Sequence, residues 1–344
     1  MRGVLRRAGD IGRAILASLR RSAALSAGLG LLAVIVLAGV AVPLLSPYAP
    51  DQILPASRLL PPSPAHPFGT DALGRDLLTR VAYGSHLAAR MAFLSVALSL
   101  GVGLAFGSLA GFYGGWTDQV IGRATDAWIA VPGTLVAIII VARLGPSLDN
   151  LILALGLMGI PAFLRIVRSS TLGARRALYV EAAVALGASD ARVMWRHVFP
   201  NILSSVVVLT TLRLATALLI GSSLSFIGLG AQPPLPEWGA LLATGRSYID
   251  TAWWLGVFPG LAVAVTVIAL NFLGDGLRDA LDPRPERRRR HAQAPAKAIA
   301  EAEFRPSRSA IGGAATTEMA RRRQAPRALP NTAQIGVEYE ETST

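Results

Sequence analysis

The sequence of 344 residues contains no cysteine. Thiolate catalysis, cysteine-ligated zinc or iron–sulfur centres and structural disulfides are excluded with it. Lysine is almost absent: of 33 basic residues only Lys297 is a lysine. A P-loop needs a lysine after its second glycine, and Lys297 sits in Pro-Ala-Lys-Ala, so the chain cannot hydrolyse ATP through such a loop. The four histidines, His66, His86, His197 and His291, are scattered without metal-ligand spacing. No Gly-x-Ser-x-Gly nucleophile elbow occurs. Charge is scarce as well. Charged residues make up 16% of the chain, against about 25% in soluble domains.

What is present is hydrophobic, at 52% of residues, and arranged in long uncharged runs between short charged ones. This is the pattern of an all-α polytopic membrane protein. Residues 23–45 form a first span, too long for a signal-peptide core. Further uncharged runs at 91–117, 127–142, 150–164 and 251–274 give four more spans, the third and fourth joined by a tight turn around Arg143–Asp149. The stretch 202–224 completes six spans if Arg213 lies inside it; starting at 214 would strand the apolar run before it. Arginine bias then orients the chain. Segments 1–22, 165–200 and the region after 284 are arginine-rich and fall on one side, which the positive-inside rule makes the cytoplasm, with both termini there.

The pieces between spans have distinct characters. Residues 1–22 place apolar residues on one helical face and arginines around the rest, which suits either a basic amphipathic helix on the inner leaflet or a plain positive anchor. Residues 46–89 are an external loop, proline-rich at first. Its second half carries Gly69-Thr70-Asp71 and Gly74-Arg75-Asp76, a turn that caps a helix starting near Leu77. Residues 90–284 form the five-span core. Residues 285–344, rich in Arg, Ala, Pro and Thr, are expected to be a disordered cytoplasmic tail. The run Arg287–Arg290 fits a membrane-flanking positive stop better than a contact with anionic lipid headgroups or nucleic acid.

The segment 165–200 holds the strongest local signals. Ala177 to Leu186 favours a helix, Gly187 can supply a left-handed corner, and Ser189 or Asp190 can cap a second short helix. In that helix Arg192 and Arg196 share one face and Val193, Met194, His197 and Val198 the other, until Pro200 stops it and launches span five. Ala182 and Ala183 leave room for another surface to approach. On the residues alone, a docking element and a self-packed loop fit equally well. In span two, Gly103, Gly107 and Gly111 recur every four residues and permit close helix packing.

Glu181-Ala182-Ala183 with Gly187 and Pro200 resembles the cytoplasmic signature loop of binding-protein-dependent ABC importer membrane subunits. Phe68-Gly69-Thr70-Asp71 with Gly74-Arg75-Asp76, and Leu224 to Pro234 followed by Glu237-Trp238-Gly239, resemble the C-type membrane subunit of dipeptide, oligopeptide and nickel importers. The matches span about 22–284. His197 and Phe199 depart from the general loop, and the tail has no counterpart.

The resemblance implies a type I ABC importer permease fold in a bacterial inner membrane. It implies a homologous second permease subunit, two cytoplasmic ATPase subunits and an external solute-binding protein as partners, with no nucleic acid. It implies no catalytic residue, metal or cofactor on this chain, ATP being bound by the partners. Glu181, Ala182, Ala183, Gly187, Arg192, Arg196 and Pro200 would form the ATPase-coupling loop. Peptides are the expected cargo, with nickel or another small solute as the alternative. Outside this class, a secondary transporter is disfavoured by the lack of carboxylates within the spans, and an intramembrane enzyme by the missing nucleophile. Arg213 has two readings: a side chain snorkelling to the inner headgroups, or one lining the transport path.

Overall fold

The computed structural model describes residues 22–281. The expected amphipathic segment before Ser22 and the tail 285–344 lie outside the described residues. Within them the chain is helical, with no strand beyond one isolated bridge between Thr70 and Asp76. Helix α1 (Ala23–Leu45) is capped by Ser22, whose hydroxyl accepts from the Leu25 amide. Its bounds match the expected first span. Most of its surface is apolar and exposed, including Val34, Leu37 and Leu44, as a lipid-facing helix requires.

Helix α2 (Leu77–Tyr113) starts at Leu77, as the turn implied, and runs unbroken through the expected second span, so residues 77–89 belong to it rather than to the external loop. Helices α3 (Gly115–Ile129) and α4 (Gly133–Leu144) replace the continuous third span expected at 127–142. They meet at 78°. The break has a plain cause: Pro132 has no amide hydrogen, its ψ is 124°, and a proline disfavours helical backbone at the residue before it. The turn after α4 is the expected one; Gly145 ends α4 and Ser147 caps α5 (Leu148–Arg175). Helix α5 runs eleven residues past the expected end at 164, so the first part of segment 165–200 is helix rather than loop. Arginines 165 and 168 need not end it, since carboxylates on α3 receive both.

Then come α6 (Leu178–Ala185), α7 (Asp190–Val193), and α8 (Phe199–Phe226), with α7 and α8 joined by a π-helical turn, Met194–Val198. Pro200 therefore does not stop the helix. It lies in the first turn of α8, where the preceding turn has widened so that the Phe199 amide donates to the Met194 carbonyl. Widening accommodates a residue that lacks its own donor. The last external segment contains α9 (Trp238–Gly245), and α10 (Trp254–Leu281) closes the chain. Among the described residues, five helices are long and apolar enough to cross a membrane, six with the bent pair.

Helices α2 and α5 run parallel and form the most extensive pairing. Ser99 donates to the Gly156 carbonyl at 2.7 Å, and β-carbons on Gly103, Gly107 and Gly111 would meet Phe163, Leu164 and Arg168 backbone or side-chain atoms within 3 Å. The glycine stripe is thus the surface on which α5 rides. Helices α1 and α10 pair antiparallel against them, with α8 between. One core is built around Met91, Leu151, Leu155, Phe163, Leu218 and Trp238. A second, at the other end, joins Phe112 and Val167 to Val180, Val193, Val198 and Ile202.

Candidate functional site

The second core holds the loop after α5 against the bundle. Val180 and Val193 are buried in it, while the rest of α6 faces outward. Helix α6 ends in a Schellman motif: the Ala188 amide donates to the Ala183 carbonyl and the Gly187 amide to the Val184 carbonyl. Gly187 has φ +82°, with open space where a side chain would project. Ser189 takes the N-cap position of α7, although its hydroxyl makes no capping bond. Val193 and Val198 point inward and Arg192 and Arg196 outward, as the sequence spacing implied. Asn201 donates its amide to the Tyr179 hydroxyl at 2.7 Å, tying α6 to α8.

The outward surface of this corner is apolar. Leu186 is 89% exposed, Leu178 82% and Trp195 65%, and Glu181 and Ala182 are exposed beside them. These large apolar side chains form an exposed patch on the outward side of the corner. Beneath the corner, Arg168 grips Asp118 of α3 through two nitrogens, and Arg175 reaches the Phe112 carbonyl and its ring, 5.1 Å from the centroid. These contacts tie the end of α5 to α2 and α3 beneath the corner.

At the opposite end of the bundle, the expected cap proves to be a buried knot. Asp76 does cap α2, its carboxylate accepting from the Thr79 amide and hydroxyl. Its other oxygen meets the His66 ring at 2.9 Å. Asp71 accepts from the Leu73 and Arg75 amides and from Arg75 Nε at 2.7 Å. Thr70, fully buried, accepts from the Leu60 amide and donates to Ser57, while its carbonyl accepts from the Trp254 indole. Gly69 and Gly74 both have positive φ. These six residues are brought together, and three that sequence reasoning passed over, His66, Thr79 and Arg80, join them. Arg80 donates to the Pro50 carbonyl at 2.7 Å and more weakly to Pro234, pinning two loops. The usable signal was a histidine and an arginine flanking an acid-rich helix start.

Near the knot, Glu237 caps α9 by accepting from the Ala240 amide, and its neighbour Trp238 donates to the Val81 carbonyl. Glu237 is fully buried against Ser222 and Ser225 of α8. Burial pushes its carboxyl above the ordinary range, opposed by the amides of Gly239 and Ala240.

Arg213 lies midway along α8. It is half-buried and lines a small cavity among α2, α5 and α8 with Ser95, Ser99 and Thr216. No carboxylate pairs with it among the described residues.

These features define a polytopic helical membrane subunit whose one built-out loop carries an exposed apolar patch at one end of the bundle. The family of binding-protein-dependent transport system inner membrane components matches residues 103–287, and the N-terminal transmembrane domain of oligopeptide transport permease C matches residues 12–62. The chain belongs to that family of transport-system membrane components. It is 42% identical to the dipeptide transport system permease protein DppC of Alkalihalophilus pseudofirmus over 75% of this chain and 84% of that one. It is 43% identical to the glutathione transport system permease protein GsiD of Pectobacterium atrosepticum, over 77% and 88%. The GsiD protein of Escherichia coli O157:H7 is 44% identical over 65% and 74%.

Proposed function

We propose that this subunit forms half of the translocation pathway of an ABC importer for di- or oligopeptides. Its second half is a homologous permease subunit. Two cytoplasmic ATPases bind and hydrolyse the ATP, this chain holding no cofactor or catalytic residue, and an external binding protein delivers the solute. The assembly sits in a bacterial inner membrane with both termini of this chain in the cytoplasm and the knot outside. The observation that carries the reading is the corner at Gly187: an exposed apolar helix face, above the tied ends of α2, α3 and α5, in a family of transport-system membrane components. Glu181, Ala182, Ala183, Arg192 and Arg196 present that face, Gly187 and Pro200 shape it, and closure of the ATPase pair moves the spans as rigid bodies. Peptide cargo is supported by the dipeptide and glutathione permeases to which the chain is similar.

The absence of cysteine makes the test clean. A Leu186→Cys variant carries a single thiol. Co-expressed with the neighbouring ATPases, it is expected to cross-link to an ATPase in inverted membrane vesicles, and the reconstituted complex is expected to take up labelled dipeptide only with ATP and binding protein. Uptake that persists without the ATPases would overturn the reading in favour of a secondary transporter.

A further inference from the structure

Between the knot and the 225–244 segment lies an open cleft of about 270 Å³. Arg75 and Arg80 form one wall, Ser225, Gln232, Leu241 and Thr244 much of the rest. Both arginines are more than nine-tenths buried. They share one carboxylate: Asp71 Oδ2 stands 2.7 Å from Arg75 Nε and 3.7 Å from Arg80 Nε. The other acids nearby are committed or distant. Asp76 is taken by His66 and Thr79, and Glu237 is turned to α9 and the serines of α8. Asp51 is exposed and acts on Arg80 only at longer range, without an ion pair among the described residues. Two buried guanidinium groups thus share one ion-paired carboxylate at a cavity wall. Buried charge of this kind is ordinarily compensated.

Donors remain to do it. Arg80 Nε is buried without a partner. The terminal nitrogens of Arg75 make no hydrogen bond with a described residue, its Nε alone being spent on Asp71. Guanidinium forks match planar carboxylates. The cleft falls just below the ~300–1,000 Å³ of a complete small-molecule site, so it suits an end group and not a whole peptide.

We propose that this cleft is an anion subsite for a carboxylate, the end group of a transported peptide as it leaves the binding protein. The source of the carboxylate rests on the peptide-import reading; the subsite itself rests on the two arginines.

The test uses the full complex in lipid nanodiscs without binding protein, and saturation-transfer NMR of N-acetylalanine against N-acetylalaninamide. Thr244 is exposed at the rim and its hydroxyl bonds only its own helix. Thr244→Glu supplies a tethered carboxylate; Thr244→Gln controls for size. Transfer to the acid is expected to exceed transfer to the amide several-fold, to survive in Thr244→Gln and to vanish in Thr244→Glu. Equal transfer to acid and amide, or transfer to the acid undiminished in Thr244→Glu, overturns the subsite. Peptide uptake by the complete importer is measured separately. Binding of the acid without any peptide uptake would sink the peptide reading and leave the subsite standing for another carboxylate.

Discussion

A β-carbon on Gly74 would stand 1.8 Å from the carbonyl oxygen of Leu54. The close approach lets the proline-rich strand before the knot lie flat on the turn that starts α2, and Gly74 reaches it with φ +78°.

Gly74→Ala combines that overlap with a left-handed backbone that costs an L-residue about 1–2 kcal/mol. The variant is expected to insert and to melt well below wild type, by more than the backbone strain alone would give, in a fluorescence-detected thermal scan of the solubilised protein. An unchanged midpoint would mean the 46–76 segment is not held on the bundle.

Helix pairing is tested at Gly107. Its β-carbon would lie 2.8 Å from the Leu164 carbonyl and 2.9 Å from Val167, whereas at Gly101 nothing lies within 4 Å. Gly107→Val is expected to lose about 1–3 kcal/mol through overpacking. Gly101→Ala is expected to lose none, the lipid-facing glycine having been a weak helix former. Equal melting of the two variants would refute close packing of α2 on α5.

Glu237 sets a pH dependence. Its folded pKa is raised, chiefly by burial, above the ~4.3 of an unfolded glutamate. The folded chain therefore holds this proton more tightly. Its contribution is fully present below about pH 4.3 and is lost as pH rises through the folded value. Melting points from about pH 4 to about pH 8 should fall for wild type relative to Glu237→Gln. A difference independent of pH would show that the carboxyl is not strained by burial.

The spans were legible because charge marks their ends: the first was placed at 23–45, and the glycine stripe marked a face for close packing whose partner, α5, only the fold supplies. Legibility failed where one charge answers another across the fold. Arg165 and Arg168 read as loop residues, yet Asp126 and Asp118 on α3 allow α5 to continue through them. Asp71 and Asp76 read as a simple cap because their partners Arg80 and His66 come to them only in three dimensions. Pro132 broke a run that composition alone made continuous, whereas Pro200 failed to break one, the π turn before it having absorbed the missing donor.

The corner at Gly187 predicts a coupling defect. No atom would meet a side chain there, so Gly187→Val acts through the backbone alone. A β-branched residue at φ +82° costs on the order of 1–3 kcal/mol and should turn α6 away from its seat. Expected are normal insertion, retained ATPase activity and uptake reduced several-fold in proteoliposomes. Wild-type uptake would remove the corner from the coupling path.

Arg213 supplies the last test. A charge midway along a span must meet protein or water, because lipid cannot solvate it. The residue lines the cavity among α2, α5 and α8 with Ser95, Ser99 and Thr216 among apolar neighbours, and no acid pairs with it among the described residues. Arginine keeps its charge even when partly desolvated, so the group offers a fixed positive site, not a proton relay. If the cavity opens to the path when the subunits separate, Arg213 meets the anionic end of a passing solute. Arg213→Leu is then expected to insert normally and lose uptake or alter peptide preference, with Arg213→Lys retaining part of it. Near-normal uptake of every peptide by Arg213→Leu would assign the side chain to snorkelling and remove it from the path.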